Sequence, residues 1–305
     1  MEHNITSQQQ LRNSIDIIGG EEMRRNKLGE EIKTELIDLG NSDHKVLLGD
    51  CLDVMKKIPS ESVDLIFTDP PYNQHIKYIR KDFIDRKKPA DYLVWLKDRL
   101  RESHRILKKN GSMYLMNYPE LNARVLPFLE DELNMKLRRW IVWHYPTNIG
   151  HSKQNWTRSH RSILFLVKGK EYTFNKSEII QPYKNPDVGK IKKRIAEGHK
   201  GRGAYDVLSA DDVLEIFQTQ GILDDVIRIN LLKNVRKERK SWHNCQLPPE
   251  LIEIFIKTSS NPGDVILDPF AGTFTTSMVA KKLNRRSIGI EISKKYVKYG
   301  KTRLR

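Results

Sequence analysis

The chain has 305 residues, with 54 Lys and Arg against 39 Asp and Glu, a formal charge of +15. Its 38% hydrophobic and 30% charged residues, with 17 Gly and 13 Pro, exclude a collagenous, low-complexity or disordered chain and leave a globular α/β-sized one with a sizeable core. No window reaches the roughly 18 consecutive apolar residues of a membrane span and the start MEHNITSQQQ is too polar for a secretory signal, so the cytoplasm is the expected compartment and a polyanion the first suspected partner.

In chain order, residues 1–44 are expected to form a helical extension, because Leu28, Ile32 and Leu36 recur every four positions among charges. From His44 onward, short apolar runs end in small or acidic residues: Val46-Leu47-Leu48 before Gly49-Asp50, and 63–67 before Thr68-Asp69. These read as parallel strands of βα units. An amphipathic helix is predicted over 92–107, carrying Leu93, Leu96, Leu100 and Leu107 and stopped by Asn110-Gly111, with a strand over 112–116. Strands over 140–143 and 162–167 complete a first half, 45–167. Residues 168–240 break the pattern. Seven Lys or Arg lie between Lys184 and Arg202, including Lys190, Lys192, Lys193 and Arg194, against Asp187 and Glu197. This reads as an inserted, basic, partly irregular module, although a charge run alone also fits a solvated surface insertion. Over 241–305 the α/β texture returns: a helix at 249–257, a strand at 265–267, a helix at 275–283, a strand at 287–291 and a last helix from Ser293.

Two loops carry chemistry. Thr68-Asp69-Pro70-Pro71-Tyr72-Asn73 follows a buried strand, where open α/β sheets build their sites. Two prolines fix φ and remove N–H donors, leaving a stiff loop that presents carbonyl oxygens. That suits the exocyclic amine of a base. Its lone pair is delocalised into the ring, and its N–H groups need acceptors as the nitrogen turns tetrahedral. Asp69 and the Pro70 carbonyl can supply them, and Tyr72 offers a ring face worth about 1–3 kcal/mol to an extruded base. Taken alone, the tetrapeptide also fits an ordinary polar turn.

The second loop is Asp268-Pro269-Phe270-Ala271-Gly272-Thr273-Phe274, and Glu291 ends the next strand 19 positions after Gly272. A turn with close backbone and a carboxylate for ribose hydroxyls are what a nucleoside cofactor needs. G-x-G-x-x-G is absent, which argues against a pyrophosphate and for a nucleoside with a cationic centre and an amino-acid tail. If 265–267 is the central cofactor strand and 287–290 its neighbour, the strand that should come next is 46–48. The sheet is then circularly permuted, with both loops on adjacent strands.

In this order, with a basic segment between them, Asp69-Pro70-Pro71-Tyr72 and Asp268-Pro269-Phe270-Ala271-Gly272 resemble the amino-methylating DNA methyltransferases of the β group, over about 46–304. Gly49-Asp50-Cys51 and His243-Asn244-Cys245-Gln246-Leu247-Pro248 are similar to the family as well. The resemblance implies an α/β fold, namely a circularly permuted Rossmann-like methyltransferase sheet with an inserted basic target-recognition region. It also implies S-adenosylmethionine as cofactor and double-stranded DNA as partner, with homodimers and restriction–modification systems common among similar enzymes. By the same resemblance, Asp69 and Pro70 would hold the target amine, Pro71 would shape the loop and Tyr72 would stack on the base. Asp268, Phe270, Ala271, Gly272 and Thr273 would line the cofactor pocket, Glu291 would hold the ribose, and Asp50 would sit near the adenine or ribose end. His243 and Gln246 are further cofactor candidates, and Arg158 joins Lys190, Lys192, Lys193, Arg194 and Arg202 as a DNA-contact candidate. An acidic first motif residue rather than serine points to adenine N6. Cytosine N4 is the alternative, and an RNA substrate or an inactive DNA-binding protein are the rival readings.

Two positions depart from the family pattern. Phe274 stands where a second glycine is usual and is expected to enter the core or wall the pocket, and Leu247 replaces a lysine. His151, His160, His199 and His243 share no ligand spacing, and Cys51 and Cys245 are too few for a zinc site, so no metal is expected. Neither cysteine precedes proline, which disfavours cytosine C5 chemistry. Trp140, Trp143, Trp156 and Trp242 are expected in the core, with Trp156 beside Arg158 and Arg161 the candidate for base contact.

Overall fold

The computed structural model describes residues 22–25, 31–37, 43–73, 87–144, 153–219 and 247–305. Its strands are β1 (Glu22–Arg25), β2 (Glu31–Ile37), β3 (His44–Leu48), β4 (Val63–Thr68), β5 (Leu107–Asn117), β6 (Lys136–His144), β7 (His160–Val167), β8 (Ile180–Gln181), β9 (Arg202–Gly203), β10 (Val207–Leu208), β11 (Val265–Asp268) and β12 (Arg286–Glu291). The helices are α1 (Cys51–Met55), α2 (Pro89–Ile106), α3 (Pro119–Pro127), α4 (Gly189–Ala196), α5 (Ala210–Thr219), α6 (Pro249–Ser259), α7 (Thr275–Lys282) and α8 (Lys294–Leu304). One sheet runs β1-β2-β3-β12-β11-β4-β5-β7-β6-β10. Its centre, β3 to β5, is parallel, and β7 enters antiparallel between β5 and β6.

The central strands carry apolar residues on both faces because both faces of the sheet are covered. Alternate residues supply opposite layers. Ile66, Met113, Leu115 and Leu267 pack with Val54 and Met55 of α1, Leu96 and Leu100 of α2 and Val125 of α3. Leu65, Phe67, Tyr114, Met116 and Ile266 pack with Leu251 and Phe255 of α6 and Val279 of α7. Strands from the two ends of the chain interleave: Leu267 pairs opposite Ile66, and Ile290 opposite Leu47. This is the Rossmann-like sheet in permuted order, and β4 and β11, each followed by a motif loop, lie side by side.

Two expectations need correction. The extension at 1–44 is not helical where it is described: β1 pairs with β2, and β2 runs antiparallel to β3 with Leu36 opposite Leu47. A spacing of four is a multiple of the strand period as well as close to one helical turn, so Leu28, Ile32 and Leu36 could not decide between them. The alternation Ile32-Lys33-Thr34-Glu35-Leu36 is a strand pattern, and β3 would otherwise be a bare edge. Leu28 itself lies outside the described residues. Nor does Asn110-Gly111 stop α2. The helix ends at Ile106 and Leu107 passes straight into β5, while the register against β4 shifts between Val63 and Leu65. The Asn-Gly pair falls in the stretch that absorbs this irregularity.

Where it is described, up to Thr219, the inserted segment holds regular elements. β8 and β9 form a short antiparallel ladder, with α4 between them in sequence and no buried residue on that helix. β10 then extends the main sheet beside β6, and Val213, Ile216 and Phe217 of α5 pack on Ile254 of α6.

Candidate active site

β11 and β12 both end in carboxylates, which the loops after these two strands hold. Asp268 accepts the Phe270 N–H at 3.0 Å and the Thr276 hydroxyl at 2.7 Å. Glu291 accepts the Gly272 N–H at 2.9 Å and the Ser293 N–H at 2.8 Å. The 19-residue spacing seen in the sequence is therefore a direct bond from the turn to the end of the next strand. Burial pushes Asp268 up to about 6 and Glu291 up to about 7, with these hydrogen bonds opposing the rise. Both carboxylates stand ready for a cation or a hydroxyl donor.

Phe274 closes the turn with φ 59°, a left-handed conformation rarely taken by a residue with a side chain. Its ring is fully buried beside Val46, Leu48, Val297 and Leu304. Gly289 and Gly300 make the room, since a Cβ on them would come within 2.7 Å and 2.3 Å of the ring. Of the two expected placements the core is the one observed; the ring does not line the cleft.

Across from this loop, Asp69 sits just beyond the end of β4. The Tyr72 hydroxyl donates to its carboxylate. The Tyr92 hydroxyl of α2 donates to the Pro71 carbonyl at 2.8 Å, which ties the double-proline loop to the helix. Asn73, at φ 58°, ends the loop and bonds the Lys87 backbone through both its amide nitrogen and its oxygen, each at 2.8 Å. The Tyr72 ring lies 4.7 Å from that of Tyr118, tilted by 47°. Burial pushes Asp69 up to about 7; the Tyr72 hydroxyl and the Arg161 charge pull it down, and Asp268 pushes it further up.

The two loops face one cleft with about 1230 Å³ of empty space, open solvent at its mouth included. Asp69, Pro70, Pro71 and Tyr72 line it, as do Asp50, Asp268, Phe270, Ala271, Gly272, Thr273 and Glu291. Asp50 is more tightly engaged than the sequence suggested. It caps α1 by accepting the Leu52 N–H at 2.9 Å, and both its oxygens accept from Arg99 Nη2 at 2.7 Å. Arg99 in turn lies 4.1 Å over the Trp95 ring, and Trp95 packs 5.8 Å from Phe270. Trp95, Arg99 and Arg161 line the cleft; the first two were not singled out in the sequence, and Arg161 was noted only as a neighbour of Trp156. The signal for the first two was their i, i+4 spacing beside the leucine stripe of α2. For Arg161 there was none, because the insertion of β7 between β5 and β6 is not written in any local pattern.

The remaining candidates divide. His243, Gln246 and Trp242 lie outside the described residues. Lys190, Lys192, Lys193 and Arg194 are exposed on α4, and none of them lines the cleft. Arg202 lies 3.8 Å over Tyr205. Arg158 is brought to the site's edge, 3.7 Å over Tyr118 and bonded to Glu120 at 2.6 Å. Trp143 is buried and Trp140 packs on the core, whereas Trp156 is 95% exposed. Among the described residues no three His, Cys, Asp or Glu are grouped to hold a metal ion, and no helix is long and apolar enough to cross a membrane.

The DNA methylase family model for N6 and N4 methyltransferases matches residues 63–302. The DNA adenine methyltransferase YhdJ of Escherichia coli K12 is 36% identical over 271 residues, covering 87% of this chain and 84% of that protein. Among solved structures, the cytosine-N4-specific PvuII DNA methyltransferase superposes with a TM-score of 0.59 at 18% identity, covering 86% of each chain. The M1.HpyAVI–SAM complex superposes at 0.52 and 22% identity, covering 85% of this chain and 98% of that one. The permuted sheet, the two loops on neighbouring strands and a match spanning most of the sequence place the chain in the N6/N4 DNA methylase family.

Proposed function

We propose that this protein moves a methyl group from S-adenosylmethionine to the N6 amine of an adenine extruded from duplex DNA. The observation that carries the reading is the convergence of the Asp69 and Asp268 loops, from adjacent parallel strands, on one cleft. The residues suit this donor. Glu291 has oxygen lone pairs for ribose hydroxyls, Trp95 and Phe270 give a ring an apolar wall, and Asp268 and Glu291 favour positive charge. When bound, S-adenosylmethionine supplies a methyl group made electrophilic by its sulfonium. The chain's own work is positioning. Asp69 in its charged form accepts one N–H of the amine and the Pro70 carbonyl the other, while Tyr72 offers its ring to the base. Pro71 and the Tyr92 hydroxyl keep these acceptors in place. Direct displacement then needs no covalent enzyme intermediate: the N–CH3 bond would form as the S–CH3 bond breaks, the electron pair staying on sulfur, and the amine's surplus proton would pass to Asp69 or solvent; the rate gain comes from alignment and preorganised polar groups.

Adenine is favoured over cytosine by Asp69 in place of serine and by the name of the 36% identical relative. Residues 168–240 act in target recognition between a catalytic half at 45–167 and a cofactor half at 241–305. The exposed cations of α4, with Arg202 and Arg158, meet DNA phosphates. Trp156, exposed between Lys153 and Arg158, contacts bases. The cytoplasm and a homodimeric state complete the reading. Labelled-methyl transfer to unmethylated genomic DNA, with Asp69→Ala as control and nucleoside analysis of the product, is the test. N6-methyladenine that disappears in the variant is expected. N4-methylcytosine would overturn the base assignment, and transfer to RNA alone would sink the DNA reading.

A further inference from the structure

The amine-binding side of the cleft depends on a side chain delivered from a distant strand. Arg161 is the second residue of β7, paired opposite Trp143 of β6, and reaches the cleft wall with a buried Nη1. Its guanidinium carbon stands 5.2 Å from the Tyr72 ring centroid and 4.4 Å from that of Tyr118. Tyr118 also carries Arg158, at 3.7 Å. Since Tyr72 donates its hydroxyl to Asp69, one unbroken set of contacts joins the exposed segment around Arg158 to the carboxylate through Tyr118, Arg161 and Tyr72. We propose that Arg161 is a positioning residue for methyl transfer, holding the Tyr72 ring so that its hydroxyl stays on Asp69 and the carboxylate stays aimed at the amine. This deepens the amine-methylation reading above and rests on it.

Three features favour this role over a contact to a DNA phosphate. The Arg161 guanidinium lies against two tyrosine rings in the cleft wall with Nη1 buried, which leaves less of it to meet a phosphate. A planar cation packs on two tyrosine rings at once, which an ammonium does poorly. The groups acting on Asp69 come from three elements, Tyr72 from its own loop, Asp268 from β11 and Arg161 from β7; among these charged and hydrogen-bonding partners Arg161 is the cation.

The test compares wild type, Arg161→Met and Arg161→Lys by labelled-methyl transfer to unmethylated genomic DNA across pH, with S-adenosylhomocysteine binding by calorimetry beside it. Arg161→Met should lower kcat by roughly ten- to a hundredfold, the cost of about an ångström of misplacement, with little change in KM for DNA or in S-adenosylhomocysteine affinity. Its acid limb should move to higher pH, because removing a cation raises the Asp69 carboxyl. Arg161→Lys should restore the limb but only part of kcat. A rise in KM for DNA with kcat and limb unmoved would make Arg161 a phosphate contact and overturn the inference. S-adenosylhomocysteine affinity falling in step with kcat would overturn it too, as a collapse of the whole cleft. Wild type inactive on DNA would sink the parent reading and this inference with it, whereas an active wild type matched by Arg161→Met sinks this inference alone.

Discussion

The two loops of the cleft end neighbouring strands and face each other, yet they are held in different ways. The Asp268 side is pinned mainly by main chain: the N–H groups of Phe270, Gly272 and Ser293 all point at its carboxylates, with the Thr276 hydroxyl beside them. Those donors come from residues within the same strand–loop–strand unit and are in place once β11 and β12 pair. The Asp69 side is pinned by side chains from three places, Tyr72 in the loop, Tyr92 on α2 and Arg161 on β7. It is complete only when the tertiary structure is. A pocket for a constant cofactor can be locally built, while a pocket that receives a base from a polymer is tied to the strand and segment nearest that polymer.

The sharpest way to test this contrast is to remove one carboxylate at a time. Asp69→Ala should cost transfer roughly a thousandfold, the scale of losing one preorganised polar group in a water-poor site. Its affinity for S-adenosylhomocysteine, read by calorimetry, should stay at the wild-type value. If that affinity falls as well, the two loops are one unit and the comparison fails.

Phe274 tests whether the cofactor loop is truly anchored by its own fold. Glycine at this position would relieve left-handed strain of about 1–2 kcal/mol. It would also delete a fully buried ring, a change that costs about 3–5 kcal/mol in a core that collapses only partly. The cavity wins, so Phe274→Gly should be destabilised by roughly 2 kcal/mol in urea denaturation. A stabilised variant would mean that the ring between Gly289 and Gly300 is not the anchor. A smaller effect is expected of Asp268→Asn. It keeps an oxygen for the Phe270 N–H but loses the charge, so S-adenosylhomocysteine affinity should drop about tenfold, the worth of one charge-assisted interaction.

How much of this could be read in advance follows the same division. Asp268, Gly272 and Glu291 were legible because their bonds are set by short sequence separations: an aspartate before a proline, a turn and a strand end 19 residues on. Asp69 to Tyr72 were legible as a stiff acceptor loop, since prolines act locally. Arg161 was not, because its relation to Tyr72 exists only through the β5-β7-β6 order, and strand order is decided by packing of the whole sheet. β2 was misread for a related reason. Its apolar spacing is degenerate between helix and strand, and pairing with the edge of β3 made the choice. Arg99 lay in plain sight on α2, but its bond to Asp50 spans 49 residues and two elements.

The last expected effect separates the loops by pH. Asp69 is pushed up to about 7 and Asp268 to about 6, chiefly by burial, and the two repel one another. A protonated Asp69 keeps only a weaker, uncharged acceptor and cannot take the amine's proton, so kcat/KM for the methyl donor, which reports the free enzyme, should fall as pH drops through about 7. Stability should run the other way. A carboxyl whose folded pKa is raised contributes stability that is fully present below its unfolded value of 3.8 and is lost as pH rises through about 7. Asp69→Asn removes that loss while leaving an oxygen for the Tyr72 hydroxyl. Its Tm should therefore exceed wild type by several degrees at pH 8 and converge with it near pH 4, measured by calorimetry in the absence of ligands. A Tm gap that does not change with pH would assign the gain to packing and would deny that the base side of the cleft holds its carboxylate at the expense of the fold.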